Sequence, residues 1–166
     1  MKREKLYVLS LAGLMVLAGG CGYSSQRPFR ADVQTVYVKP FGSREFRRRI
    51  EMNLTEALKK RIQMDTNYRL SDMKTADTIL KGEVIQVKQA TLGYDFLLNA
   101  PRETQLTLVV SFQWKDLRSG KILVDRQGWL QTYEYAWAVG EKELDAINGA
   151  VDRMAETIVE QMMTEW

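Results

Sequence analysis

The side chains that usually carry enzyme chemistry are scarce in this sequence. Its 166 residues include no histidine, so the commonest general base and the commonest metal ligand are both missing. No glycine-rich loop joins a strand to a helix in the phosphate-binding form, and there is no Gly-x-Ser-x-Gly elbow. Carboxylates working in pairs are the remaining acid and base option, but the 21 acidic residues are scattered and no pair stands out. We therefore expect no catalysis, no metal and no cofactor. The reactive group that is left is the single cysteine, Cys21, which has no partner in the chain for a disulfide.

The chemistry of Cys21 follows from what precedes it. A basic run, Met1-Lys2-Arg3-Glu4-Lys5, leads into 13 residues from Leu6 to Ala18, all apolar or small apart from Ser10, and Gly19-Gly20 close the segment. That order is a secretory signal. A permanent span needs about 20 apolar residues, so this one is short for an anchor and should be cleaved. Leu17-Ala18-Gly19-Gly20-Cys21 resembles a lipobox, in which small residues admit the signal peptidase and the thiol receives diacylglycerol. The bulky aliphatic residue, Leu17, lies one place further from the cysteine than in the usual form. The alternative for Cys21 is a small buried hydrophobe or a free thiol, which leaves its position at the end of a signal unexplained. Several acyl chains would hold the mature chain at a membrane. Cleavage after residue 20 removes three of 24 basic residues and one of 21 acidic ones, leaving 21 against 20. The pI near 9.0 is thus partly the signal's, and no nucleic-acid partner is expected.

Three further stretches are candidates for binding. Arg44, Arg47, Arg48 and Arg49 fall in the first turns of a predicted helix, where the positive dipole end disfavours cations. They either receive an anion such as a glycolipid phosphate or form a solvated face with an Arg47–Glu51 pair. Thr91 to Pro101 is too apolar for a plain surface loop: it either extends a hairpin and folds over the core, or presents Tyr94, Phe96, Leu97 and Leu98 to a partner protein or an acyl chain. Tyr133-Glu134-Tyr135-Ala136-Trp137 gathers three aromatics, which suit an interface or simply close a sheet end.

The elements that position these residues are read from hydrophobic periodicity. Residues 1–20 are the signal peptide, residues 21–32 the lipidated N-terminus and tether, and residues 33–166 a single domain. The 11 residues from Gly22 to Asp32 would reach roughly 35 Å when extended. Val33 to Lys39 is a β-branched strand stopped by Pro40. With Ser43 as N-cap and Glu45 in the first turn, Phe46, Ile50, Leu54, Leu58 and Ile62 predict a helix ending near Asp65–Asn67. Strands follow at Tyr68–Leu70, Asp77 to about Ala90, Glu103–Leu117 and Lys121 to about Tyr135. Gly82 marks a bulge or a close backbone approach in the second of these. In the third, Leu106, Leu108, Val110, Phe112 and Trp114 share one face while Thr107, Ser111 and Gln113 take the other. Arg118-Ser119-Gly120 is a hairpin turn. From about Gly140, Leu144, Ile147, Val151, Met154, Ile158 and Met162 form a helical stripe. Two amphipathic helices on one face of a mostly antiparallel sheet of about four or five strands make a two-layer α+β sandwich.

Taken together, several of these segments resemble a known family. They are Cys21-Gly22-Tyr23, the Val33–Lys39 strand leading to Pro40-Phe41, Glu51 to Leu58, Ala76-Asp77-Thr78-Ile79-Leu80-Lys81-Gly82, and the hairpin from Trp114 to Val124. The mature chain is similar to LptE-type lipopolysaccharide-assembly lipoproteins, in their divergent form outside the enterobacteria. The resemblance implies a lipid-anchored plug inside an LptD-type outer-membrane β-barrel that helps the barrel assemble and contacts lipopolysaccharide in transit. It also brings a sorting rule under which Gly22, not being acidic, directs the protein to the outer membrane. No lipopolysaccharide-contacting position of the family is carried over to a residue here. The competing expectation is an accessory lipoprotein of another envelope machine, such as a phospholipid-transport complex or a peptidoglycan-synthase activator.

Overall fold

The structure is a computed structural model that describes residues 29–45, 49–95, 100–135 and 143–163. In chain order the elements are β1 (Thr35–Val38), β2 (Gly42–Ser43), α1 (Ile50–Asp65), β3 (Arg69–Leu70), β4 (Thr78–Asp95), β5 (Ala100–Asp116), β6 (Ile122–Tyr135) and α2 (Glu143–Glu160). The strands form one six-membered sheet in the order β3-β1-β4-β5-β6, with β2 also paired to β4. Both helices pack on one face, as the α+β reading requires.

The sheet is mixed: its long ladders are antiparallel, as expected, but the short strands β1, β2 and β3 pair in parallel and bring the number to six. β4, β5 and β6 are the antiparallel meander. β1 and β2 instead run parallel to β4, and β3 parallel to β1. The reason is connectivity: α1 lies between β1 and β4, and a helical crossover returns the chain to pair in the same direction. β2 and β3 are two residues each, too short for an alternating pattern to reveal.

β5 behaves as its alternation predicts: Leu106, Leu108, Val110, Phe112 and Trp114 are all at most 2% exposed, and the residues between them are half-buried. α1 buries Leu54, Leu58 and Ile62 completely, each such side chain contributing about 1.5–3 kcal/mol. In α2 the predicted Val151, Met154 and Ile158 are buried, as is Met162 in the turn that follows, but Leu144 is 70% exposed in the first turn. The small residues Ala146, Ala150 and Ala155 take the innermost positions. They let α2 lie close to the sheet, so close that a Cβ on Gly149 would meet the Tyr133 ring at 2.5 Å.

The segment from Ala76 to Gly82 has a structural explanation at both ends. Asp77 Oδ2 accepts the backbone N–H groups of Gln34 and Thr35, at 3.0 and 2.9 Å, and so caps the start of β1. Gly82 is a close approach, with the register running through Gly82↔Phe112, and the bulge falls later, between Val84 and Gln86. A Cβ at residue 82 would sit 2.3 Å from the buried Phe41 ring and 2.7 Å from the Ser111 carbonyl. A second irregularity lies in β6, where Gly128 adopts φ 63° opposite the shift between Val110 and Phe112 and donates to Ser111 Oγ at 3.0 Å.

Candidate functional site

The domain has two chemically different ends, and the run of the helices defines them. Asn53 Nδ2 donates to Asn148 Oδ1 at 3.4 Å, and Arg61 lies 3.8 Å from Glu156. α1 and α2 are therefore parallel, and their N-termini share one end. α1 ends where the chain turns through Tyr68 into β3, beside the start of β1, and Arg126 Nε donates to Gln161 just beyond the C-terminus of α2. The opposite end carries both helix N-termini, whose partial positive charges add.

Of the four arginines expected in the first turns of a helix capped by Ser43, Arg44 and Arg49 are placed differently by the structure. α1 begins at Ile50, not just after Ser43. Gly42 and Ser43 are held in strand geometry by Glu83 and Val84, and the Arg44 N–H donates to the Val84 carbonyl at 3.0 Å. Ser43 Oγ accepts the Glu45 N–H in a local turn instead of capping a helix. Arg44 stands outside the helix, 66% exposed, with its Nε on Glu83 Oε2 at 2.9 Å. Arg49 occupies the N-cap position at φ 80°, with no side-chain capping bond. Glu51, in the first turn, is the charge the dipole favours. Arg47 and Arg48 lie outside the described residues. Of the two arginines that are described, Arg44 is drawn away from the helix axis by Glu83, while Arg49 sits at the N-cap itself, next to the positive end of the dipole.

The described part of the apolar stretch beyond residue 90 continues the β4–β5 hairpin, and its tip, on which both expected readings turn, lies outside the described residues. β6 stops at the pair Thr104↔Tyr135, while β4 and β5 continue as a two-stranded ribbon to Asp95↔Ala100. At 3.3 Å per residue this ribbon projects roughly 15 Å past the three-stranded sheet. Lys88 to Leu92 are exposed along it, and Gln89 Nε2 donates to the Tyr135 hydroxyl at its root. The backbone of Tyr94 pairs with Pro101. The side chain of Tyr94, and Phe96, Leu97 and Leu98 altogether, lie outside the described residues. Of the aromatic group in β6, Tyr135 is buried and Tyr133 packs on Gly149, so both help close the sheet, while Trp137 falls outside the described residues.

The sheet face away from the helices is mostly polar, and no second layer covers it among the described residues. An open groove of about 500 Å³ runs across it, with Lys39, Lys81, Glu83, Ser111, Gln113 and Gln127 along its walls. The alternation of β5 forecast that face; the groove depends on β4, β5 and β6 lying side by side with the β1–β2 segment beyond β4.

The last four residues of the segment expected to be a tether are part of the domain instead, and they join it at the other end. Cys21 lies outside the described residues, but Phe29 to Asp32 are packed: Phe29 bridges to Met163 and meets the Tyr68 ring edge-on at 5.5 Å, and the Arg30 N–H donates to the Tyr68 hydroxyl at 2.9 Å. Burial raises the Tyr68 phenol above its usual pKa. Around it, three carboxylates are held below their usual range. Asp77 is lowered chiefly by the Gln34 N–H, Asp116 by the Ser119 hydroxyl and Asp32 by the Arg30 guanidinium. No sequence pattern pointed to this network, because its members are separated by up to 86 positions, as in the 2.5 Å bond from Arg118 to the Asp32 carbonyl.

Among the described residues no group of acidic or cysteine side chains is arranged to hold a metal, and no helix is long and apolar enough to cross a membrane.

The fold recurs in solved structures of low sequence identity. The hypothetical protein CT253 from Chlamydia trachomatis superposes with a TM-score of 0.55 at 11% identity, over 77% of this chain and 96% of its own. A PelC dodecamer from Paraburkholderia phytofirmans gives 0.53 at 12% identity, over 84% and 96%. An uncharacterized lipoprotein B from Nitrosomonas europaea gives 0.53 at 15% identity, over 84% and 85%. No curated protein is a significant match. The family described as lipopolysaccharide-assembly matches residues 33–166, from just before β1 through α2 to the last residue. The chain therefore belongs to the LptE family of lipopolysaccharide-assembly proteins.

Proposed function

We propose that this chain is an outer-membrane lipoprotein, acylated at Cys21, that plugs an LptD-type β-barrel, assists its assembly and contacts lipopolysaccharide in transit without catalysing a reaction. Membership of the family supports the assembly role. The observation that carries the finer reading is the polarity of the domain. The tether is rooted at one end through Phe29 and Arg30, and the other bears two helix N-termini, Arg44, Arg49 and a projecting β-ribbon. Arg44, Arg49 and the helix N–H groups are the groups at that end that would receive an anion, set among Glu45, Glu51, Glu83 and Asp145, beside a ribbon whose sequence at the tip is Phe96-Leu97-Leu98. The uncovered polar sheet face supplies hydrogen-bonding groups to a polar barrel lumen.

The test has two parts. Affinity isolation of the full lipoprotein should recover an outer-membrane β-barrel; recovery of a periplasmic or inner-membrane partner instead would assign the chain to another envelope machine. Replacing Arg44 and Arg49 together with glutamine should weaken lipopolysaccharide binding about tenfold, or ~1.4 kcal/mol, with the melting temperature within a few degrees of the parent because both side chains are exposed and the Arg44–Glu83 pair is a surface one. Unaltered binding refutes the arginine contact. Cys21→Ala should lower the yield of assembled barrel more than it weakens an assembled complex, since the lipid acts by raising local concentration.

A further inference from the structure

The end of the domain where the tether arrives has an exposed surface of its own. Met73 is 60% exposed there, Leu117 37% and Ile122 49%, and none of the three belongs to the core. They lie on two neighbouring turns. The first follows β3, where the N–H groups of Thr75 and Ala76 both donate to the Asp72 carbonyl at 3.0 Å. The second is the β5–β6 hairpin, closed by the Asp116 N–H on the Lys121 carbonyl at 2.8 Å. The turns are joined by the Leu117 N–H on the Asp77 carbonyl at 2.8 Å and by Arg118 at 3.7 Å from the Asp77 carboxylate. Arg118 also binds the Asp32 carbonyl, which ties the tether root into the same end.

The carboxylates at this end mostly turn inward. Asp77 serves β1, Asp116 binds Ser119 Oγ at 2.7 Å and the Arg118 N–H at 2.8 Å, and Asp32 pairs with Arg30 at 3.0 Å. Asp72 and the Arg30-paired Asp32 are the exposed acids, whereas Lys74 and Lys121 are exposed with no ion-pair partner among the described residues. Apolar side chains rimmed by ammonium groups suit the boundary between phospholipid headgroups and acyl chains. There the apolar groups leave water while the lysine heads meet phosphate.

Chain length argues for the same occupant. Seven residues, Gly22 to Pro28, separate Cys21 from the packed Phe29, and fully extended they span roughly 25 Å. Lipid on Cys21 therefore keeps this end close to the bilayer, where even a weak contact is populated.

We infer that, before a barrel takes it up, the lipoprotein rests on the phospholipid surface through Met73, Leu117 and Ile122, with Lys74 and Lys121 at the headgroups. The inference rests on the reading of Cys21 as the anchor. The test uses the lipidated full chain in vesicles of phosphatidylethanolamine and phosphatidylglycerol, with a nitroxide on Met73→Cys, Ile122→Cys or, as the far-end control, Leu144→Cys. These side chains are exposed, and acylation of Cys21 leaves the introduced thiol as the labelling site. The expected result is accessibility to oxygen over a water-soluble nickel chelate at 73 and 122, and the reverse at 144. Chelate-accessible labels at 73 and 122 on a chain whose mass shows diacylglycerol overturn the membrane contact and leave the anchor reading intact. If the mass shows no lipid, the anchor reading falls, and the same labels on a Cys21→Ser background at millimolar lipid still decide the contact. Labels that ignore vesicles but become immobilised on addition of a barrel assign the surface to a protein and overturn the inference.

Discussion

Replacing Gly82 with alanine should unfold a large part of the stability of this domain, and the reason is one ring. A Cβ at that position would lie 2.3 Å from Phe41 Cε1, 2.8 Å from Phe41 Cζ and 2.7 Å from the Ser111 carbonyl oxygen, whereas ordinary contact begins near 3.4 Å. The Phe41 ring is only 4% exposed and its N–H is fixed to Thr55 Oγ1 at 3.0 Å, so it has little room to retreat. The Ser111 carbonyl belongs to the backbone of the central strand and has less. Overpacking a core costs typically 1–3 kcal/mol, and two immovable directions put Gly82→Ala at the upper end, about 3 kcal/mol. With a urea m-value of about 2 kcal/mol/M, the unfolding midpoint falls by about 1.5 M. Phe41→Ala alone should cost about 3–4 kcal/mol through its cavity. In that background two of the three close contacts vanish, so Gly82→Ala should cost about 1 kcal/mol and the double variant should fall short of the sum by about 2 kcal/mol. Urea unfolding of the four chains followed by tryptophan fluorescence measures the cycle. Additivity within about 0.5 kcal/mol refutes the claim that Gly82 exists for Phe41.

Other expectations follow from the same geometry. Gly149→Ala meets only the Tyr133 side chain, which is half-buried at the edge strand and can swing; with the gain of about 1 kcal/mol in helix propensity, its thermal midpoint should stay within a few degrees of the parent. Because the Asp77 pKa is lowered in the folded state, its stabilisation is complete above the usual carboxylate range. It is lost as pH falls through the depressed value, so the difference in urea midpoint between the parent and Asp77→Asn should be full at pH 7 and shrink below about pH 4. Gly128→Ala places a Cβ at φ 63° in open space, and should cost about 1–2 kcal/mol in chemical denaturation through the backbone alone.

What could be read before folding was whatever depends on near neighbours in the chain. The alternation from Leu106 to Trp114 and the fourfold spacing of Ile50, Leu54, Leu58 and Ile62 identify elements, because strand and helix put those residues on one face whatever lies opposite. The order of charge, apolar run and small residues ahead of Cys21 is equally local, which is why the expectation of lipidation needs no fold. The tertiary structure alone decided the rest. It set β1, β2 and β3 parallel to their neighbours, because direction is determined by the α1 crossover and not by the strands' own residues. It moved the start of α1 from Ser43 to Ile50, since pairing of Gly42 and Ser43 with β4 satisfies backbone groups that a helix would otherwise have claimed. It aligned the two helix N-termini at one end and the tether root, Asp77, Asp116 and Arg118 at the other, assembling charges from distant positions in the chain. Periodicity carries no information about such distances, and the two ends of this domain, on which its proposed work depends, exist only once the chain has crossed over.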